Sequence, residues 1–170
     1  MNVQVIPWRT YAVRVTSSAE PRWLTPDELQ TWKALHLVLM TLPTALGNQL
    51  QCDSNLSLIE YYVLAGLSDQ PDHAMRLSSL AILANSELSR LSHMVGRLER
   101  RGLVRREIDP TDGRYTRAIL TQKGKEELVQ AAPGHVAQVR QLIFQALGAD
   151  EQHALRSAMM KIMTQLTGEC

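Results

Sequence analysis

Ser89, Arg90, Ser92, His93 and Arg97 stand close together in the chain, and Arg114 follows on the far side of an Asp-Pro-Thr-Asp-Gly turn. These side chains donate hydrogen bonds. Serine hydroxyls and guanidinium groups bond phosphate oxygens and base edges, and an arginine fork bonds a guanine at two points. Asp112, two residues before Arg114, has the reach to hold that guanidinium in one pose. Left in solvent, the same pair would contribute almost nothing. Arg117 adds a cation on the segment that returns from the turn. Recognition of a polyanion is the chemistry this set can perform.

Positioning these groups requires a helix and a hairpin. Leu88, Leu91, Val95 and Leu98 recur at helical spacing and make one apolar stripe, and the serines, arginines and histidine fall largely off it. Asn85 or Ser86 is expected to cap the helix start, with Glu87 in the positive first turn. Gly102 is the stop after Arg97, Arg100 and Arg101. Taken alone, this helix reads equally well as an ordinary one with a solvated face. The hairpin shifts the balance. Leu103 to Ile108 and Tyr115 to Thr121 suit strands, and Asp109 to Arg114 makes a connection longer than a tight hairpin needs. A polar wing with Arg114 near its tip results. Helix and ribbon together have the layout of a winged helix, one part for the DNA major groove and the other for the neighbouring minor groove.

The run from Ser89 to Gly124 resembles the MarR (multiple antibiotic resistance regulator) family of bacterial transcription factors. The family shows LExxGLVxR, then D-P-x-D-x-R, then LTxxG. Here these are Leu98-Glu99, Gly102-Leu103-Val104 and Arg106; Asp109-Pro110, Asp112 and Arg114; and Leu120-Thr121 with Gly124. A weaker likeness extends from about Trp23 to Leu166. The resemblance implies a mainly α fold with a small β-wing: a winged helix-turn-helix whose N- and C-terminal helices intertwine across a two-fold axis. It also implies repression relieved by a small molecule held between the dimerisation helices and the DNA-binding lobe. Trp32, His36, Met40, Tyr61 and Tyr62 are the residues suited to line such a pocket for an aromatic or phenolic effector, although each separately reads as core or interface. Some members sense oxidants through a cysteine early in the first long helix. This chain has none there, and Cys52 lies at the far end beside Asp53, whose charge opposes thiolate formation.

Charge is segregated along the chain. Net charge is +1, yet residues 76–125 hold eleven Lys/Arg against five Asp/Glu, and the remainder holds seven against twelve. A module at +6 in a frame at −5 is an electrostatic footprint for a polyanion. Cys52 and Cys170 make neither a disulfide framework nor a zinc spacing, and a reduced cytoplasm is the simple reading. No apolar run reaches a membrane span, and residues 1–18, interrupted by Arg9 and Arg14, lack an apolar signal-peptide core. The five histidines show no metal spacing, and no nucleophile elbow, P-loop or dinucleotide fingerprint occurs. No cofactor, metal or catalytic residue is expected, and the chain does not read as an enzyme.

The remaining elements frame the winged unit. Thr25-Pro26-Asp27-Glu28 starts a helix with a capping box, and Leu29, Trp32, Leu35, Leu39, Leu42, Leu46 and Leu50 follow. Other faces of that helix are apolar too, so it wants burial on more than one side, which a partner subunit can supply. Pro43 is expected to kink it. Ser57 to Glu60 opens a second helix with another capping box. Met75 to Leu77 suits a short strand, and Ser78 to Leu83 a support helix. After the wing, a helix from Thr121 is expected to kink or break at Pro133-Gly134 and resume from His135 to Leu147. A last helix spans Asp150 to Leu166. The expected organisation is an unassigned extension at 1–23, which could be an arm, a short strand or a partner contact. A dimerisation helix follows at 24–56, the winged helix-turn-helix at 57–124 and dimerisation helices at 125–170.

The functional expectation is a homodimeric, sequence-specific regulator of double-stranded DNA, a repressor at a palindromic operator, cytoplasmic and on the nucleoid when bound. Two other classes remain open. A low-specificity architectural protein would bind a palindrome and random DNA alike. A winged helix used for protein contacts would carry an apolar recognition face, whereas this face is rich in Ser, Arg and His.

Overall fold

The computed structural model describes residues 21–168, in two compact units that divide within the first helix, after Leu37. The extension before Pro21 and the terminal Cys170 lie outside the described residues. Helix α1 is Pro26–Ser54. Its start is the expected capping box: the Thr25 amide donates to Glu28 Oε2 at 2.8 Å, and the Glu28 amide donates to Thr25 Oγ1 at 3.3 Å.

The larger unit holds the winged element. Helix α2, Leu58–Ser68, opens on a full capping box between Ser57 and Glu60. Strand β1 is Ala74–Arg76, helix α3 is Leu77–Leu83, and helix α4 is Leu88–Arg100. Strands β2, Val104–Ile108, and β3, Thr116–Leu120, form the wing. The sheet order is β1-β3-β2, all antiparallel, with Arg76 opposite Arg117 and Val104 opposite Leu120. Helix α5 is Gln122–Val139 and α6 is Ala149–Thr167. One core joins these parts: Leu50 from α1, Leu64 and Leu67 from α2, Leu80 from α3, Leu91 and Leu98 from α4, and Val104 and Ala118 from the sheet. Each fully buried leucine contributes about 1.5–3 kcal/mol through removal from water, enough to hold the pose of α4. No helix is long and apolar enough to cross a membrane among the described residues.

Two local expectations change. Neither Asn85 nor Ser86 caps α4; the cap position is Glu87, with no side-chain hydrogen bond. Asn85 instead takes a left-handed φ of 44° and makes the turn between α3 and α4, a conformation asparagine tolerates. Helix α5 does not break at Pro133-Gly134 but runs through to Val139. Proline removes one backbone donor, and the buried Ala131 and His135 on either side anchor the helix there. The irregularity comes later, as a π turn at Arg140–Phe144. Pro43 lies inside α1, as the sequence pattern places it.

Candidate nucleic-acid interface

Helix α4 presents two faces. Leu91, Met94, Val95 and Leu98 are buried, while Ser89, Arg90, His93 and Arg97 are exposed and Ser92 is half-buried at the border. The apolar stripe read from the sequence is therefore corrected: Met94 joins it in the middle, and Leu88, 51% exposed, leaves it at the start. Arg90 makes no ion pair among the described residues. Arg97 lies 3.6 Å from the buried Glu60, whose other oxygen closes the α2 capping box. Arg101, just past α4, bridges Glu60 at 4.0 Å and Glu127 of α5 at 3.7 Å. The basic end of α4 is thereby tethered to both flanking helices.

The family motifs have physical roles here. Glu99 accepts from the Arg106 amide at 2.9 Å and from its guanidinium at 2.8 Å, so α4 and β2 are pinned together. The same guanidinium holds the Glu99 carboxyl below its ordinary pKa. Gly102 turns the chain between them at φ 75°, where other residues are strained. Thr121 caps α5 by accepting from the Gly124 amide at 3.0 Å, and its hydroxyl donates to the Gly102 carbonyl at 2.7 Å. A Cβ on Gly124 would collide with the Leu103 carbonyl, which is why the motif ends on glycine.

The wing is braced at its base and armed at its tip. At the base, Asp109 is buried and accepts from the Arg76 guanidinium on β1. Asp109 also accepts from the Thr111 amide and hydroxyl, at 2.8 and 2.6 Å. These bonds, the Arg76 bond foremost, hold its carboxyl well below the usual carboxylate range. Arg76 also lies 4.5 Å over the Tyr115 ring, a cation–π contact. At the tip, Arg114 is 83% exposed, and Asp112 grips it with bonds of 3.0 Å to Nε and 2.6 Å to Nη2. That bond lowers the Asp112 pKa and raises that of Arg114. Arg117 sits on β3 between two carboxylates, Asp72 at 3.3 Å and Glu107 at 3.1 Å.

Sequence reading missed Arg76 and the buried role of Asp109. Asp112 and Arg114 are near neighbours and announce each other. Arg76 meets Asp109 across 33 residues, with no local signal. Four of the five pocket residues fall into two ring groups, with Met40 apart. Tyr61 and Tyr62 lie 4.4 and 6.3 Å from the ring of His135 on α5. Trp32 and His36 face each other at 5.6 Å on α1, and Met40 is exposed. Sequence reading did not single out His135, which is 7% exposed with Nδ1 unpartnered and its pKa lowered by burial.

The MarR family model matches residues 56–116, which span α2 to the first residue of β3. Sco3205, a MarR family transcriptional regulator from Streptomyces coelicolor solved in complex with DNA, superposes with a TM-score of 0.82 at 40% identity, over 87% of this chain and 92% of that one. The chain belongs to the MarR family. It is a DNA-binding transcriptional regulator of that family. AbsC, another MarR regulator from Streptomyces coelicolor, superposes with a TM-score of 0.82 at 36% identity, over 88% of this chain and all of that one. The transcriptional regulator HosA of Escherichia coli O127:H6 is 32% identical over 109 residues, which is 64% of this chain and 78% of the relative. For HosA of the O111:H- strain the match is 37% over 79 residues, and the chain spans 57% of that relative.

Proposed function

We propose that this MarR-family chain acts as a homodimeric repressor at a palindromic operator and leaves it when a small aromatic or phenolic effector binds. It works in the cytoplasm, on the nucleoid when bound to DNA. In this reading α4 enters the major groove with Ser89, Arg90, Ser92, His93 and Arg97, and the wing lays Arg114 in the adjacent minor groove. Residues 24–56 and 125–170 serve dimerisation, and 57–124 bind DNA. The observation that carries the reading is the wing tip: an exposed arginine locked by two bonds to Asp112 at the end of a braced ribbon. A guanidinium presented in one pose loses little freedom on entering the groove, and a narrow minor groove attracts it electrostatically. Arg117 then serves chiefly to hold β3 against Asp72 and Glu107 and faces DNA only at its edge. Tyr61 and Tyr62, packed on His135, are the aromatic surface for the effector, with Trp32, His36 and Met40 as further candidates. An effector that prefers one arrangement of the lobes shifts the population away from the DNA-competent one.

Operator titrations at fixed salt test the wing. Arg114→Ala should weaken binding roughly tenfold or more, and Arg114→Lys should restore only part of it because the planar fork is lost. Asp112→Ala should reproduce part of the defect without removing a cation. Parental affinity in Arg114→Ala would remove the wing from the interface.

A further inference from the structure

We propose that Leu88 reads DNA, its side chain meeting the 5-methyl group of a thymine in the major groove and selecting thymine there. The proposal rests on α4 being the recognition helix. Leu88 is the first residue of α4, and recognition helices present their N-terminal residues to base edges. Helical Cβ atoms tilt toward the N-terminus, so a side chain covers the turn before its own. Leu88 has no helical turn of α4 before it to cover. The core does not use it: Leu91, Val95 and Leu98 are fully buried, and Leu88 is half-exposed. It is the single large apolar residue of α4 left in solvent. Its exposed neighbours Ser89 and Arg90 offer donors, which suit phosphates and base acceptors. The thymine methyl is the one apolar feature of the major-groove floor, and Leu88 is the exposed large apolar side chain of α4 that matches it.

Selection from a random-sequence duplex pool with the full chain supplies a preferred site. Each thymine of that site is then replaced singly by uracil, which deletes only the methyl. At one position in each half of the site, uracil should weaken the parent protein by about three- to fivefold, the scale of one methyl group. Leu88→Ala should bind thymine and uracil alike at that position, and Leu88→Met, which keeps apolar reach, should still prefer thymine. A parent protein indifferent to every uracil overturns the proposal without need of a variant. A uracil profile shared by parent and Leu88→Ala also overturns it, while leaving sequence-specific binding by α4 intact. A pool that yields no preferred site overturns the recognition-helix reading and this proposal together.

Discussion

His135 shows how much one side chain can depend on neighbours that no local pattern reveals. The ring packs against Tyr61, with Tyr62 at its edge, and Nδ1 is buried without a partner. Burial lowers its pKa, so the folded protein keeps the ring neutral where the unfolded chain, titrating near about 6.5, already takes up a proton. The unfolded state binds more protons across that window, so stability rises with pH through it and is lost as pH falls below about 6.5 toward the folded value. Melting curves at about pH 7.5 and about pH 5.5 should therefore separate in the parent protein, and His135→Phe should narrow that gap while keeping the aromatic contact. An equal gap in both proteins would show that the ring does not carry it. Residues near in sequence, such as Asp112 and Arg114, were legible because short separations limit where a side chain can reach. His135 was not, because its environment is assembled by α2 and α5 only when both are packed.

At the scale of elements, the wing depends on a brace that begins far from it. Arg76 leaves β1, bonds the buried Asp109 and covers the Tyr115 ring, so the outer strand and the loop share one anchor. Removing the guanidinium strands a carboxylate that the fold holds ionised, and such groups are costly to leave unpaired. Arg76→Met should lower Tm and expose the amides of β2 and β3 to faster hydrogen exchange. It should also weaken operator binding several-fold although residue 76 lies off the recognition helix. Unchanged exchange in the wing would show that the loop keeps its shape without Arg76. The elements themselves were legible where periodicity and punctuation agreed. The β-rich runs around Asp109 to Arg114 became β2 and β3, and Gly102 ended the basic helix. Sequence reading failed where local chemistry was overruled. Pro133-Gly134 reads as a kink or a break, yet Ala131 and His135 are buried around it and the helix does not break there. Leu88 reads as core by spacing, yet it heads its helix with no turn before it.

The whole molecule leaves apolar surface that a single chain does not cover. No residue of α6 is buried, and Met160, Ile162, Met163 and Leu166 stand in solvent. In the same way Leu37, Val38, Leu39 and Met40 of α1 are exposed. Apolar side chains exposed in that number on two helices mark candidate interaction surfaces. The homodimer proposed above supplies a cover, because an isologous interface buries the same surface on both subunits. The period of the apolar residues makes this face legible in the sequence, but what covers it is not written in a single chain. The consequence is geometric: two recognition helices related by a two-fold need half-sites about one DNA turn apart, roughly 10 bp centre to centre. Sedimentation at micromolar concentration should give a dimer, and footprinting should protect both halves of an inverted repeat with that spacing. Met163→Asp together with Leu166→Asp should shift the protein toward monomer, since the proposed interface would bury the new carboxylates without partners. The monomer should then keep weak, salt-sensitive contact with single half-sites but lose the palindrome's advantage. A parent protein that sediments as a monomer, or a double variant that still binds as a dimer, would place the apolar faces in some other contact.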